Sequence, residues 1–171
     1  KIKIIIISAT SKSNLTLSKN LGEICKRLGA DVKVISLENF SLPLYTENSY
    51  KLEKEKNNAT INELSELIIS ANGIIVCGPE YNGSIHPIIT NAITWISVST
   101  ENWRDAFNGK VSLIGTSSGG GGAKFLMSMR IQLEHLGSVV MPRTITTNKS
   151  NPFNPDSSEK IIKQFISLLK Y

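Results

Sequence analysis

The sequence predicts a doubly wound α/β fold, a five-stranded parallel sheet with helices on both faces. Apolar runs of strand length alternate with segments of helical periodicity five times along the chain. Three of the runs, at 1–8, 73–79 and 110–117, are nearly continuous in apolar residues, as expected of strands covered on both sides. No internal repeat or low-complexity segment interrupts the 171 residues, so one domain over 1–171 is expected.

Each element has its own signal. "KIKIIIIS" (Lys1–Ser8) is β-branched and reads as the first strand. Its apolar core, Ile4–Ile7, is too short for a signal peptide. Leu17, Leu21, Ile24 and Leu28 recur at helical spacing until Gly29. "ADVKVISL" (Ala30–Leu37) alternates and forms the second strand. A long connection over 38–58 follows, whose charged part, Glu53–Lys56, reads as solvated surface. Ile61, Leu64 and Ile68 mark a helix ending near Ala71–Asn72, and "GIIVCGP" is the third strand. Pro87 fits a first helical turn; the inner face of that helix is expected at Ile88, Ala92, Trp95 and Ile96. Lys110–Ser117 is the fourth strand. A helix with Leu126, Met129, Leu133 and Leu136 then runs to Gly137, "SVVMP" is the fifth strand, and a closing helix covers Ser157–Tyr171 with Ile161, Phe165 and Leu168 inward.

Composition narrows the partners. The net charge of +5 comes from scattered lysines without interleaved aromatics, which argues against a nucleic-acid surface. No apolar run approaches the ~18 residues of a membrane span, so no membrane partner is expected. Cys25 and Cys77 lie in buried patterns without a CxxC partner; they read as inert thiols of a reducing cytosol, which predicts a cytoplasmic protein.

In such a sheet, ligands bind beyond the carboxyl ends of the central strands. Three strand ends carry unusual sequence: "SATSKSNLT" after strand 1, "GPEYNGSIHP" after strand 3 and "GTSSGGGG" after strand 4. In the first, six of nine residues (Ser8, Thr10, Ser11, Ser13, Asn14 and Thr16) bear hydroxyl or amide groups before a helix, where unpaired N–H groups favour phosphate. One or two such residues would serve as an N-cap alone. Neither GxGxxG nor GxxxxGK followed by Ser or Thr is present. The four glycines at 119–122 let backbone approach a ligand closely or form a plain flexible loop. The corner at 78–87, set by Pro79 and Gly83, offers a platform for a planar heterocycle beside Tyr81; its Pro, Asn, Gly and Ser suit an ordinary turn equally well.

The segment "GPEYNGSIHPIITNAITWIS" closely resembles the P-E-Y-N-G-S signature of NAD(P)H-dependent FMN reductases. The resemblance runs along nearly the whole chain: "LPLY" (Leu42–Tyr45) and "GGGGAKFLMSMRIQLEHLGSVVMP" match family segments as well. It implies a flavodoxin-like fold with strand order 2-1-3-4-5. It implies FMN as cofactor, with Thr10, Ser11, Asn14, Leu15 and Thr16 at the phosphate. Pro79, Glu80, Tyr81, Asn82 and Gly83 would line the ring, and Ser117, Ser118, Gly119 and Gly120 its other edge. The family usually has an arginine where this chain has Ser11, and Lys12 replaces it only as a point charge. The family acid before Trp95 is Thr94 here, and His86 is read as a solvent-edge residue.

The function so implied is an FMN-dependent oxidoreductase that takes hydride from NADPH or NADH. It passes the electrons to a small acceptor (flavin, quinone, metal oxyanion or azo compound) in a ping-pong order. No catalytic side chain and no metal are expected. The resemblance also implies a homodimer or homotetramer, with 42–58 and the helix from Pro87 as contact surfaces. A flavodoxin-type electron carrier is the alternative, and such carriers are acidic rather than +5. A phospho-accepting receiver domain would need acids after strands 1 and 3, where this chain has Ser8–Ala9 and Gly78–Pro79.

Overall fold

The computed structural model describes residues 1–56 and 58–170. Asn57 and Tyr171, the latter included in the expected closing helix, lie outside the described residues. Four strands form the body of the sheet: β1 (Lys3–Ser8), β2 (Asp31–Ser36), β3 (Gly73–Cys77) and β6 (Val111–Ser117), in the order β2-β1-β3-β6 and all parallel. A two-stranded hairpin, β4 (Glu80–Tyr81) and β5 (Ser84–Ile85), stands apart from it. The expected fifth strand is two short pieces, β7 (Val139–Val140) and β8 (Ile145–Thr147), which pair with the first and last parts of β6. Pro142 has no N–H to continue the ladder, which explains the break. Arg130 donates to the Met141 carbonyl there, at 2.7 Å. The order 2-1-3-4-5 therefore holds, with its last position shared by two pieces.

The isoleucines of β1 show why the strands form where they do. Ile4, Ile5, Ile6 and Ile7 are 2, 2, 0 and 5% exposed and point alternately to two separate cores. Each such side chain contributes roughly 1.5–3 kcal/mol by leaving water. On one face lie α1 (Ser13–Arg27) and α6 (Pro155–Leu168). On the other lie α3 (Ala59–Ile69), α4 (Pro87–Ser99) and α5 (Ala123–His135). β2, at the sheet edge, alternates between half-buried and exposed residues until its last two.

Several expectations need correction. The connection after β2 holds a helix, α2 (Glu47–Lys56), which buries none of its residues and so left no apolar periodicity to read. α4 turns Ile89 and Ile93 inward with Ala92, Trp95 and Ile96, while Ile88 is only half-buried. Phe125, not Leu126, is the first fully buried residue of α5. Leu168 is exposed on α6, whose core face is Ile161, Ile162, Phe165 and Ile166. Cys25 and Cys77 are buried free thiols, both pushed up to about 12 by burial.

The matched segments meet in space. The Asn91 amide and Trp95 Nε1 both donate to the Pro43 carbonyl, at 3.0 and 2.7 Å, and the Tyr45 N–H donates to Asn91 Oδ1 at 2.9 Å. The "LPLY" strap is thus tied to α4 by the Asn and Trp of its "NAITW". At the opposite end of the sheet, the Lys110 ammonium donates to the carbonyls of Ile68, Ile69 and Ala71 at the close of α3, at 2.6–2.7 Å. Those acceptors favour the charged form, whereas burial pushes the ammonium down to about 8.

Candidate functional site

The three unusual loops come together at the carboxyl ends of β1, β3 and β6, which are neighbours in the sheet. Each is shaped differently.

The corner after β3 is tightly held. Gly78 has no room for a side chain: a Cβ there would lie 2.9 Å from Ile89 and 3.1 Å from Phe125. Thr116 Oγ1 donates to the Gly78 carbonyl at 2.7 Å, and the Glu80 N–H donates to Ser118 Oγ at 2.8 Å. Asn82 and Gly83 turn the hairpin with φ of 50° and 70°, the two-residue turn that an Asn-Gly pair favours. The Glu80 carboxylate leaves the hairpin and accepts from the N–H groups of Lys124 and Phe125, at 3.0 and 3.3 Å. It caps α5, whose own N-cap is Gly122 and offers no side chain. Glu80 is thereby committed to structure, while Tyr81 is left 49% exposed against the His86 ring, 4.6 Å between centroids. His86 Nδ1 accepts from the Ile88 N–H at 3.0 Å, capping α4. Burial lowers the His86 pKa, with Glu38 opposing, and the neutral ring is the form able to accept that bond. His86 therefore has a task that its reading as a solvent-edge residue did not include.

The loop after β1 is open by comparison. α3, α4 and α6 are capped by the side chains of Asn58, His86 and Asn154. α1 has no side-chain cap: its N-cap position is Lys12, and of the six hydroxyl and amide residues Ser13, Asn14 and Thr16 lie within the helix itself. Asn14 is turned elsewhere. It is 1% exposed, donates from Nδ2 to the Ser117 carbonyl at 2.9 Å and accepts from the Ser117 N–H at 2.8 Å. This closed pair joins the first loop to the end of β6. Ser11 and Thr16 are exposed, Leu15 and Thr10 half-buried.

The loop after β6 is open too. A Cβ placed on Gly119, Gly120 or Gly121 would meet nothing within 4 Å. Gly122 differs, with φ at +66° and the Thr116 side chain 2.7 Å from a would-be Cβ. Between α1 and the segment from the end of β8 to Phe153 lies a cavity of ≈ 280 Å³ bordered by Ser13, Thr16, Ser117, Thr147, Asn148 and Phe153. Thr147, Asn148 and Phe153 are additions that the sequence reading missed. The β-branched "TITT" was the available signal for a strand end there. A larger cavity, ≈ 420 Å³, opens between α2, α3 and α4 beside Trp95. The helix that starts there, α3, is already capped by Asn58 accepting from Thr60 and Ile61 N–H, so its N-terminus offers an anion less.

Among the described residues, no helix is long and apolar enough to cross a membrane, and no group of three or more His, Cys, Asp or Glu is placed to hold a metal. The model of the NADPH-dependent FMN reductase family matches residues 2–152. The chain belongs to this family.

A quinone reductase of Escherichia coli strain K12 is 33% identical over 137 residues, 77% of this chain and 70% of that protein. An NAD(P)H-dependent FMN reductase of Pseudomonas aeruginosa is 24% identical across 99% of this chain and 94% of its own length. Among solved structures, the flavoenzyme NAD(P)H:(acceptor) oxidoreductase from Paracoccus denitrificans superimposes with a TM-score of 0.80 at 18% identity, covering 99% of this chain and 98% of that one. An archaeal flavodoxin superimposes with a TM-score of 0.69 at 15% identity, covering 99% of this chain and 100% of that one. The fold is flavodoxin-like, and this FMN reductase family member is an oxidoreductase that uses FMN and NAD(P)H. The residues fit such a cofactor: an uncapped helix N-terminus suits a phosphate, and three glycines with free space above them suit a ring edge.

Proposed function

We propose that this chain passes reducing equivalents from NAD(P)H through FMN to a small diffusible acceptor, with a quinone the first class to try. The observation that supports this most is the placement of an uncapped α1, a fixed corner and an open glycine loop at the ends of three adjacent strands. In this reading the N–H groups of the first turn of α1, with Ser11, Leu15 and Thr16, hold the phosphate, and Lys12 adds a point charge. Pro79 to Gly83 form the floor under the ring, and Ser117 to Gly120 its edge. Asn14 acts through Ser117, and Glu80 acts through α5; both are positioning residues.

Held by Ser11, Leu15 and Thr16 at its phosphate and by Pro79 to Gly83 at its ring, FMN would supply the redox chemistry, hydride acceptance from NAD(P)H and electron donation to the acceptor. The chain's own part is to bind and orient. The corner holds its backbone groups still because Thr116 and Ser118 fix it from below. Glu80 accepts two helix N–H bonds and His86 one, so in this reading both serve the structure rather than act as acid or base. The assembly in this reading is a homodimer or homotetramer built through the "LPLY" strap and α4.

The test is the anaerobic visible spectrum of the protein with FMN, before and after NADPH. A bound flavin band that bleaches with NADPH, and recovers when a quinone is added, supports the reading. A band bleached by dithionite but not by NADPH moves the chain to the electron-carrier reading. Absence of any bound flavin overturns both.

A further inference from the structure

The 3₁₀ turn Leu37–Asn39 follows β2 directly. Because Ser8 and Ser36 are in register across β1 and β2, that turn lies beside the loop after β1. Glu38 uses this position. Its Oε2 accepts the Ser11 N–H at 2.9 Å, and a second pin joins Ser11 Oγ to Ser36 Oγ at 2.8 Å. A carboxylate therefore already holds a backbone donor of the loop that fronts the uncapped helix. Both Glu38 and Ser11 are exposed, so the contact is open to displacement. The other charged or titratable groups at hand are Lys12 within the loop and His86, which feels the Glu38 charge from across the site.

We infer that Glu38 is a specificity-determining residue that weakens the grip on phosphate-bearing flavin while leaving phosphate-free flavin untouched. The inference rests on the flavin site proposed above. A phosphate can approach in two ways. It can take the Ser11 N–H, in which case the carboxylate must leave its bond. It can use only the N–H groups of α1, in which case a dianion sits beside a carboxylate that stays in place. Both routes disfavour the phosphate, by lost hydrogen bonding in the first and by like-charge repulsion in the second. Neither acts on riboflavin, which brings only a hydroxyl to that end. The chain should therefore discriminate little between FMN and riboflavin, and hold its flavin as an exchangeable ligand.

The experiment is a pair of fluorescence titrations, FMN and riboflavin, against the full chain and its Glu38→Gln variant. Glutamine keeps the shape and an oxygen for the Ser11 N–H but removes the charge. FMN affinity is expected to rise about tenfold in the variant at low salt, and riboflavin affinity to stay unchanged. The gain should shrink at about 0.5 M salt, where screening is strong. An unchanged or lowered ratio of FMN to riboflavin affinity overturns the inference. If neither protein binds either flavin, inorganic phosphate titrated against isotope-labelled protein, followed at the Ser11 amide, decides. Tighter phosphate binding in the variant then supports the role of Glu38 and removes only the flavin reading; equal binding overturns the role as well.

Discussion

The corner after β3 and the loop after β1 end neighbouring strands, yet they treat their polar groups in opposite ways. In the corner three are used internally: the Gly78 carbonyl by Thr116, the Glu80 N–H by Ser118, the Glu80 carboxylate by two N–H groups of α5. In the loop the helix start is left without a side-chain cap, and the one anionic partner present is the exposed Glu38. A rigid platform for a planar ring has to be satisfied by the protein, since a ring leaves most of its floor unpaired. A phosphate seat has to stay unsatisfied, since unpaired donors give it affinity.

The contrast can be broken at the point where the two regions meet. Asn14→Ala removes both bonds to Ser117 and leaves a partly buried N–H and C=O without partners. We expect a loss of about 2–3 kcal/mol in urea unfolding, together with weaker FMN binding, because the change loosens both regions. A variant of native stability would show that the pair carries no weight.

A smaller effect is expected from Glu80→Ala, which uncaps α5 and frees the hairpin. The cost should be about 1–2 kcal/mol of stability, with Glu80→Gln recovering part of it by keeping an acceptor. Equal losses in the two variants would mean that the carboxylate charge, not its hydrogen bonds, does the holding.

The smallest is Thr16→Ala. Its hydroxyl makes only a long 3.5 Å contact with the Lys12 carbonyl, so stability should hold within about 0.5 kcal/mol. FMN affinity should still fall by about 1.5 kcal/mol, the lower end for a net hydrogen bond to a charged group. Measured by flavin titration beside thermal unfolding, a loss of stability without a loss of affinity would reverse the contrast.

Much of this was readable in the residues. β1 and β3 are buried on both faces, and a strand of that kind is apolar at nearly every position, so "KIIIIS" and "GIIVC" announce themselves; β6 is buried as well but carries the polar Ser112 and Thr116 inside it. α2 was silent because it buries nothing. The hairpin was read as a turn because two-residue strands are too short to show alternation, although Asn82-Gly83 pointed to it. The break after Val140 could be anticipated from Pro142, but not the return of the chain at Ile145 to finish the edge of β6.

The sequence by itself determined the layer order, the three loops that face one end of the sheet and the family, because these depend on local patterning and on short motifs. The tertiary structure alone decided which polar side chains of those loops are spent and which are free. Asn14 and Ser117, 103 positions apart, and Glu80 and Lys124, 44 apart, become partners only when the sheet brings their strand ends side by side. A hydrogen bond between residues so distant in the chain has no local signature, since its cost in chain entropy is met by the whole core rather than by the residues that form it.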